Sequence, residues 1–177
     1  MDNQDKSSWC KKGELDEVYF IKHVAPTCGL ELVIHPDKQA NKYATDMQLA
    51  NGLMDADLKH VEHPFYKSDL YGYEAQHTVT LNHKDYLRYM NKYPEWGKDM
   101  AIIFWVSWPA ATKFDVNVQS VSGVWSLRLH TLDKWIRNGR LRSHEYLQRK
   151  GGSGTNARFS WLIDLRMCNR HERRSDV

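Results

Sequence analysis

"YATDMQLANGLMDADLKHV", residues 43–61, sets three aspartates and a lysine around an Asn-Gly pair. Asn51-Gly52 is a strong short-range hairpin signal, because both residues tolerate the positive φ of a type I′ turn. A two-residue loop fixes the register: Asp46 faces Asp57, Gln48 faces Asp55 and Ala44 faces Lys59. Strand side chains alternate, so Asp46, Gln48, Asp55, Asp57 and Lys59 share one face. The other face carries Thr45, Met47, Leu49, Met54, Ala56 and Leu58, nearly all apolar, and can pack on a core.

Two carboxylates facing each other across a strand pair repel, by roughly 0.2–1 kcal/mol in solvent and more when shielded. A solvated outer face has no need of that pairing. A hard divalent cation does, since Mg²⁺ or Mn²⁺ takes carboxylate oxygens and turns repulsion into chelation. Lys59, two residues beyond Asp57, adds an ammonium that can orient or help deprotonate a water. Together these residues make the polar half of a site for phosphodiester hydrolysis.

Around this hairpin the chain reads as alternating short elements. Residues 12–25 predict a helix with Leu15, Val18, Tyr19 and Lys22 on one side, ended by Pro26 and Gly29. "LELVIH" (30–35) and "QHTVTL" (76–81) predict strands, and "NHKDYLRYMNKY" (82–93) a short helix capped by Asn82. "DMAIIFWVSW" (99–108) is the most apolar run and predicts a central strand. "VNVQSV" (116–121) and "VWSLRL" (124–129) follow as strands, then a helix over "TLDKWIRNG", a small-residue loop "GGSGTN" (151–156) and a last strand "RFSWLIDLRM". The order predicts an α/β or α+β domain, helices flanking one mixed β-sheet, with residues 1–177 as a single domain.

Length and composition agree with a globular domain: 177 residues, 41% hydrophobic and 27% charged. No apolar run approaches the ~20 residues that span a bilayer, and "MDNQDKSSWCKKGELDE" is too polar for a signal peptide. Cys10, Cys28 and Cys168 lack metal-ligand spacing, so the chain is expected to be reduced, intracellular and cytoplasmic, with neither zinc nor disulfides. The net charge is only +3, yet basic residues gather late, in "IRNGRLRSHEYLQRK" (136–150) and at Arg158, Arg166, Arg170, Arg173 and Arg174. Such a run is either a solvated surface or a phosphate-tracking one, and charge alone does not separate the two.

Asp46, ten intervening residues, then Asp57-Leu58-Lys59 resembles the PD-(D/E)XK nuclease superfamily, which holds many restriction enzymes, Holliday-junction resolvases and repair nucleases. The resemblance covers roughly residues 13 to 61. It implies a restriction-endonuclease-like fold and a Mg²⁺-dependent (or Mn²⁺-dependent) endonuclease acting on DNA. In that family the acids hold the metal, the carbonyl between the second acid and the lysine completes the shell, and a helix glutamate often joins. Carried over, Asp46, Asp57, Lys59 and Glu17 are catalytic, and Asp46, Asp57, Glu17 and the Leu58 carbonyl hold the metal, with Glu14 in reserve for Glu17. Thr45 stands where the family has proline, and Asp57 where glutamate is commoner. Cutting both strands of a duplex implies a symmetric homodimer. The alternatives are a non-catalytic nucleic-acid-binding module on the same fold, or a nuclease acting on RNA or on DNA junctions.

Several further residues have both a functional and an ordinary reading. Gln76 can touch a phosphate or simply close a ladder edge. Lys67 can contact the scissile strand or be a solvated loop lysine. His60 and His63 invite a metal reading, but His60 has the parity of Leu58, so it points to the core side as a satisfied histidine. Arg142, His144, Tyr146 and Arg149 can clamp phosphate or line a surface helix. Of the seven tryptophans, Trp105 and Trp108 read as core. "GGSGTNAR" lacks the Gly-Lys-Ser ending of a nucleotide-binding P-loop.

Overall fold

A strand apolar on both faces has to be covered on both, and residues 99–108 meet that condition. The computed structural model describes residues 6–41, 44–93, 99–146 and 159–174, with side chains from residue 11 onward. In chain order its elements are α1 (Lys6–Tyr19), β1 (Leu32–Ile34), β2 (Met47–Leu49), β3 (Met54–Val61), β4 (Thr78–Asn82) and α2 (His83–Lys92). Then come β5 (Asp99–Trp108), β6 (Ala111–Lys113), β7 (Val116–Val118), β8 (Val121–Arg128), α3 (Leu129–Arg137), β9 (Ser143–Glu145), β10 (Phe159–Asp164) and β11 (Asn169–His171). The predicted loop 151–156 and Trp96 lie outside the described residues.

The main sheet runs β1-β2-β3-β5-β8-β11. It is antiparallel except for β3 and β5, which lie parallel because β4 and α2 intervene as the crossover. The strands do not all join one sheet: β4, β10 and β9 form a second, three-stranded sheet, and β6 with β7 a separate hairpin. The architecture is mixed α+β, a mixed sheet flanked by helices.

Strand alternation divides the core in two. Ala56, Leu58, Ile103 and Val124 face α1, packing with Met47, Phe20 and Ala25. Met100, Ile102, Phe104 and Leu127 face the other way, against Tyr86 and Tyr89 of α2, Leu132 of α3 and Val79 and Ile163 of the small sheet.

The hairpin keeps its expected register, Met47 opposite Ala56 and Gln48 opposite Asp55, through a different turn. Gly52 N–H donates to the Leu49 carbonyl at 2.8 Å, so the turn centres on Ala50 and Asn51. Only Gly52 takes a positive φ, +71°. Asn51 instead accepts the Leu53 N–H on its side-chain oxygen at 3.0 Å, which satisfies the turn without a type I′ geometry. Pairing then stops at Met47–Ala56, so the expected ladder pairs Asp46–Asp57 and Ala44–Lys59 do not form.

Three other expectations change. Helix α1 starts earlier, continues through a wide turn at Phe20–Val24 and a 3₁₀ turn at Ala25–Cys28, and ends at Gly29, φ +70°. Its inward side is Glu17 and Phe20, whereas Leu15, Val18 and Tyr19 are exposed. The Asn82 side chain does not cap α2; it accepts a hydrogen bond from the Ser160 hydroxyl at 2.8 Å. The stretch around His144, left open as a surface helix, is strand β9 paired to β10.

Phe20 is fully buried and ties α1 to the sheet. Phe20→Ala should cost about 3–5 kcal/mol. Leu15→Ala, at a residue 71% exposed, should stay within about 0.5 kcal/mol. Chemical denaturation of the two variants checks both values.

Candidate active site

Leu58 lies two residues past the last β2–β3 pair, so its backbone N–H has no ladder acceptor on that side. Asp46, where β2 turns away, fills the gap: its Oδ2 accepts the Leu58 N–H at 3.0 Å. A strand residue points its N–H and C=O to the same neighbour, which turns the Leu58 carbonyl to this gap as well. The other Asp46 oxygen accepts from Lys38 Nζ at 2.9 Å. The same ammonium donates to Glu17, so one cation bridges two carboxylates from α1 and the β2 edge. Lys38 comes from a 3₁₀ turn, Pro36–Gln39, held by the His35 imidazole accepting the Asp37 N–H.

Glu17 is buried, while Glu14 on the same helix is exposed. Burial first, then the nearby Asp46 charge, push the Glu17 carboxyl up to about 7, against the pull of Lys38. The Lys38 ammonium is held above the usual lysine range: burial opposes this, but hydrogen bonds to Glu17 and Asp46 outweigh it.

Asp57 projects from the opposite side of the strand, beneath α2, and is 2% exposed. Three donors meet it: Tyr89 Oη at 2.7 Å, Lys59 Nζ at 2.8 Å and Arg88 at 3.4 Å. Burial would raise its carboxyl, but Lys59 above all, then Tyr89 and Arg88, bring it below the usual carboxylate range. Lys59 also bonds Asp85 at 3.0 Å. Burial disfavours its charge, yet Asp57, Tyr89 and Asp85 hold it well above the ordinary lysine value. Held in this way, Lys59 is an oriented ammonium donor.

Asp55 is closed in beside this group, with Tyr93 Oη donating to it and His35 Nε2 at 3.3 Å. Since His35 Nδ1 accepts the Asp37 N–H, the ring proton sits on Nε2, facing Asp55.

The structure thus gathers Glu17, Asp46 and the Leu58 backbone at one point and Asp57 with Lys59 at another, and among the described residues no hydrogen-bond or ion-pair partner is common to Asp46 and Asp57. His35, Lys38, Asp85, Arg88, Tyr89 and Tyr93 complete the two groups, and sequence reasoning missed them. One signal was available: in "DYLRYMNKY" the residues Tyr86, Tyr89 and Tyr93 recur at helical spacing beside Asp85 and Arg88. Lys38 had none, because only the folded turn carries it to Glu17.

The remaining candidates lie elsewhere. His60 sits on the α1 side as expected, its Nδ1 3.0 Å from Asp16 and its ring stacked on Trp105 at 3.9 Å. Trp108 is core, 3% exposed. Gln76 donates to and accepts from the Gln119 backbone, an edge contact away from the acids. Lys67 is exposed near His144. Arg142 is exposed ahead of β9, and Arg149 lies outside the described residues.

Among the described residues no three His, Cys, Asp or Glu side chains converge closely enough to hold a metal alone. Magnesium does not need three, because one or two carboxylates with waters and substrate phosphates suffice. The Glu17–Asp46 pair fits that demand, and the Lys38 ammonium already stands between its oxygens as a cation.

No family model matches the chain, and no curated protein matches it. Among solved structures D212, a nuclease from a fusselovirus, is similar over 92% of this chain and 84% of its own, at 11% identity and a TM-score of 0.44. A TM-score of that size does not fix a common fold, and function has to come from the site's own geometry. No helix among the described residues is long and apolar enough to cross a membrane.

A carboxyl whose folded pKa is raised stabilises the fold below its unfolded pKa and loses that contribution as pH climbs through the folded value. Wild-type protein in chelator should therefore lose stability, relative to Glu17→Gln, between about pH 4.5 and 7, by about 3 kcal/mol. Paired thermal melts across that range read the difference directly.

Proposed function

We propose that this chain is a Mg²⁺- or Mn²⁺-dependent endonuclease of the PD-(D/E)XK type, cutting phosphodiester bonds in DNA. The observation that carries the reading is the Lys38 ammonium set between the Glu17 and Asp46 carboxylates, against the strand edge of Leu58. Two acids that share a cation at a backbone gap have the oxygen donors that a hard divalent ion takes, which supports the reading. Glu17, Asp46 and the Leu58 carbonyl would hold the metal, which when bound supplies Lewis acidity toward a phosphate oxygen.

The chain's own groups do the rest. Lys59, fixed by Asp57 and Asp85 and 26% exposed at its side chain, presents N–H donors to a phosphate oxygen or an attacking water. Arg88, fixed by the same two acids, adds a second cation beside it. Such preset donors stabilise charge growing on the phosphate without reorganising at the moment of reaction. Asp57 anchors these cations, and entering a metal shell would require it to release at least one of its three donors. A second copy of the chain would be needed to cut both strands of a duplex symmetrically.

A non-catalytic nucleic-acid-binding module is the second reading, favoured by the closure of Asp57 beneath Tyr89. It predicts salt-sensitive DNA binding with no cleavage under any metal.

Purified protein should nick or linearise plasmid DNA with Mg²⁺ or Mn²⁺ and stop with EDTA. Asp46→Asn and Lys59→Met should each lower kcat/KM by about 100-fold or more while melting as folded proteins. Asp46→Asn cutting at the wild-type rate would overturn the assignment. Lys38→Met, by removing the competing cation, should tighten Mn²⁺ about tenfold, or 1.4 kcal/mol, as measured by calorimetry.

A further inference from the structure

Trp105 and Val124, neighbours across β5 and β8, form the floor of a cavity of about 220 Å³ that opens on the α1 side of the sheet. Val24, from the turn after α1, closes one wall, and Ser122, Arg170 and Arg173 stand at its sides. Protein interiors leave few voids larger than a water, whose share of liquid volume is about 30 Å³. A space several times that size, apolar below and polar at the mouth, has the make-up of a ligand pocket.

The charge around the mouth is positive. Residues 169–174, "NRHERR", bring three arginines against one glutamate. Arg170 stands opposite Trp125 in register and lies over its ring at 5.6 Å, on the far face of the sheet and 3.5 Å from Glu172, so Arg173 and Arg174 carry the charge at the mouth. The Arg174 guanidinium packs where a Cβ on Gly29 would stand. Arg173 is exposed and makes no hydrogen bond or ion pair among the described residues. An anion is the complement of that rim, and Trp105, held by His60 at 3.9 Å, gives the cavity a rigid apolar floor for a planar ring.

Position links the cavity to the acids. Trp105 pairs with His60, two residues along β3 from Leu58, and Val124 is one strand further. At about 4.8 Å between strands and 3.3 Å along them, the floor lies on the order of 10 Å from Leu58. The cavity opens on the face that carries Glu17.

We propose that this cavity binds one unstacked nucleotide of a single-stranded DNA segment, its base over the apolar floor and its phosphate at Arg173. The proposal rests on the nuclease reading for the path of the strand. A base inserted there has to leave its stack, which costs least in a single-stranded end, flap or branch, so these are favoured over a continuous duplex.

Anisotropy of labelled oligo-dT and of a matched duplex, with full-length protein in EDTA, tests this without cleavage. Ser122→Trp fills the mouth from an exposed position and leaves the charge unchanged. It should weaken oligo-dT binding about tenfold or more, the scale of one lost base stack, with duplex binding within about twofold. Arg173→Gln should weaken oligo-dT by a smaller factor and reduce its salt dependence. Unchanged oligo-dT affinity in both variants, or an equal loss for duplex in Ser122→Trp, overturns the proposal. Thermal melts of both variants confirm folding. If oligo-dT binding falls as expected while wild-type protein cuts no DNA with any metal, the nuclease reading fails and the nucleotide site stands.

Discussion

When a strand loses its neighbour partway along, its backbone donors need new acceptors, and one left unmade in a buried setting costs about 1–3 kcal/mol. Here β2 leaves β3 after Met47–Ala56, and the Leu58 N–H is met by the Asp46 carboxylate. That bond fixes Asp46 at the strand edge, and a partly buried carboxylate needs a cation in turn. Lys38 supplies it and, with its remaining donors, reaches Glu17 on α1. A helix, a 3₁₀ turn and a strand edge thus converge because one peptide group had to be satisfied.

The alternation of β3 explains why the acidic residues form two groups. Asp55, Asp57 and Lys59 point toward α2, while Ala56 and Leu58 point toward α1. Only the Leu58 backbone, lying in the plane of the sheet, is shared between the sides. On the α2 side burial is compensated: Asp57 has Tyr89, Lys59 and Arg88, and its pKa falls despite desolvation. On the α1 side two acids share one ammonium, and the Glu17 pKa rises to about 7. The first group is electrostatically closed, whereas the second sets two carboxyl groups against one ammonium.

Helix α1 shows how a weak pattern misleads. Leu15, Val18 and Tyr19 make a plausible apolar stripe, yet the inward residues are Glu17 and Phe20. One fully buried phenylalanine and a paired glutamate decide the rotation, and Leu15 and Val18 remain in solvent. Large exposed apolar residues are ordinary at protein surfaces, so the stripe carried little weight against Phe20. The wide turn at Phe20–Val24 then redirects the chain toward the edge of the sheet.

The sequence by itself determined the central strand at 99–108, the hairpin register and the face each residue of β3 would take, because strand alternation and a short turn are local constraints. It marked Asp46, Asp57 and Lys59, and the parity that sends His60 to the core side. Tertiary structure alone decided where β2 would part from β3, and so whether Asp46 and Asp57 would meet. It also brought in Lys38, His35, Arg88 and Tyr89, whose carboxylate partners on other elements lie 8 to 32 positions away in the chain. The physical reason is that a hydrogen-bond partner is chosen by packing between separate elements, and no local spacing encodes that choice.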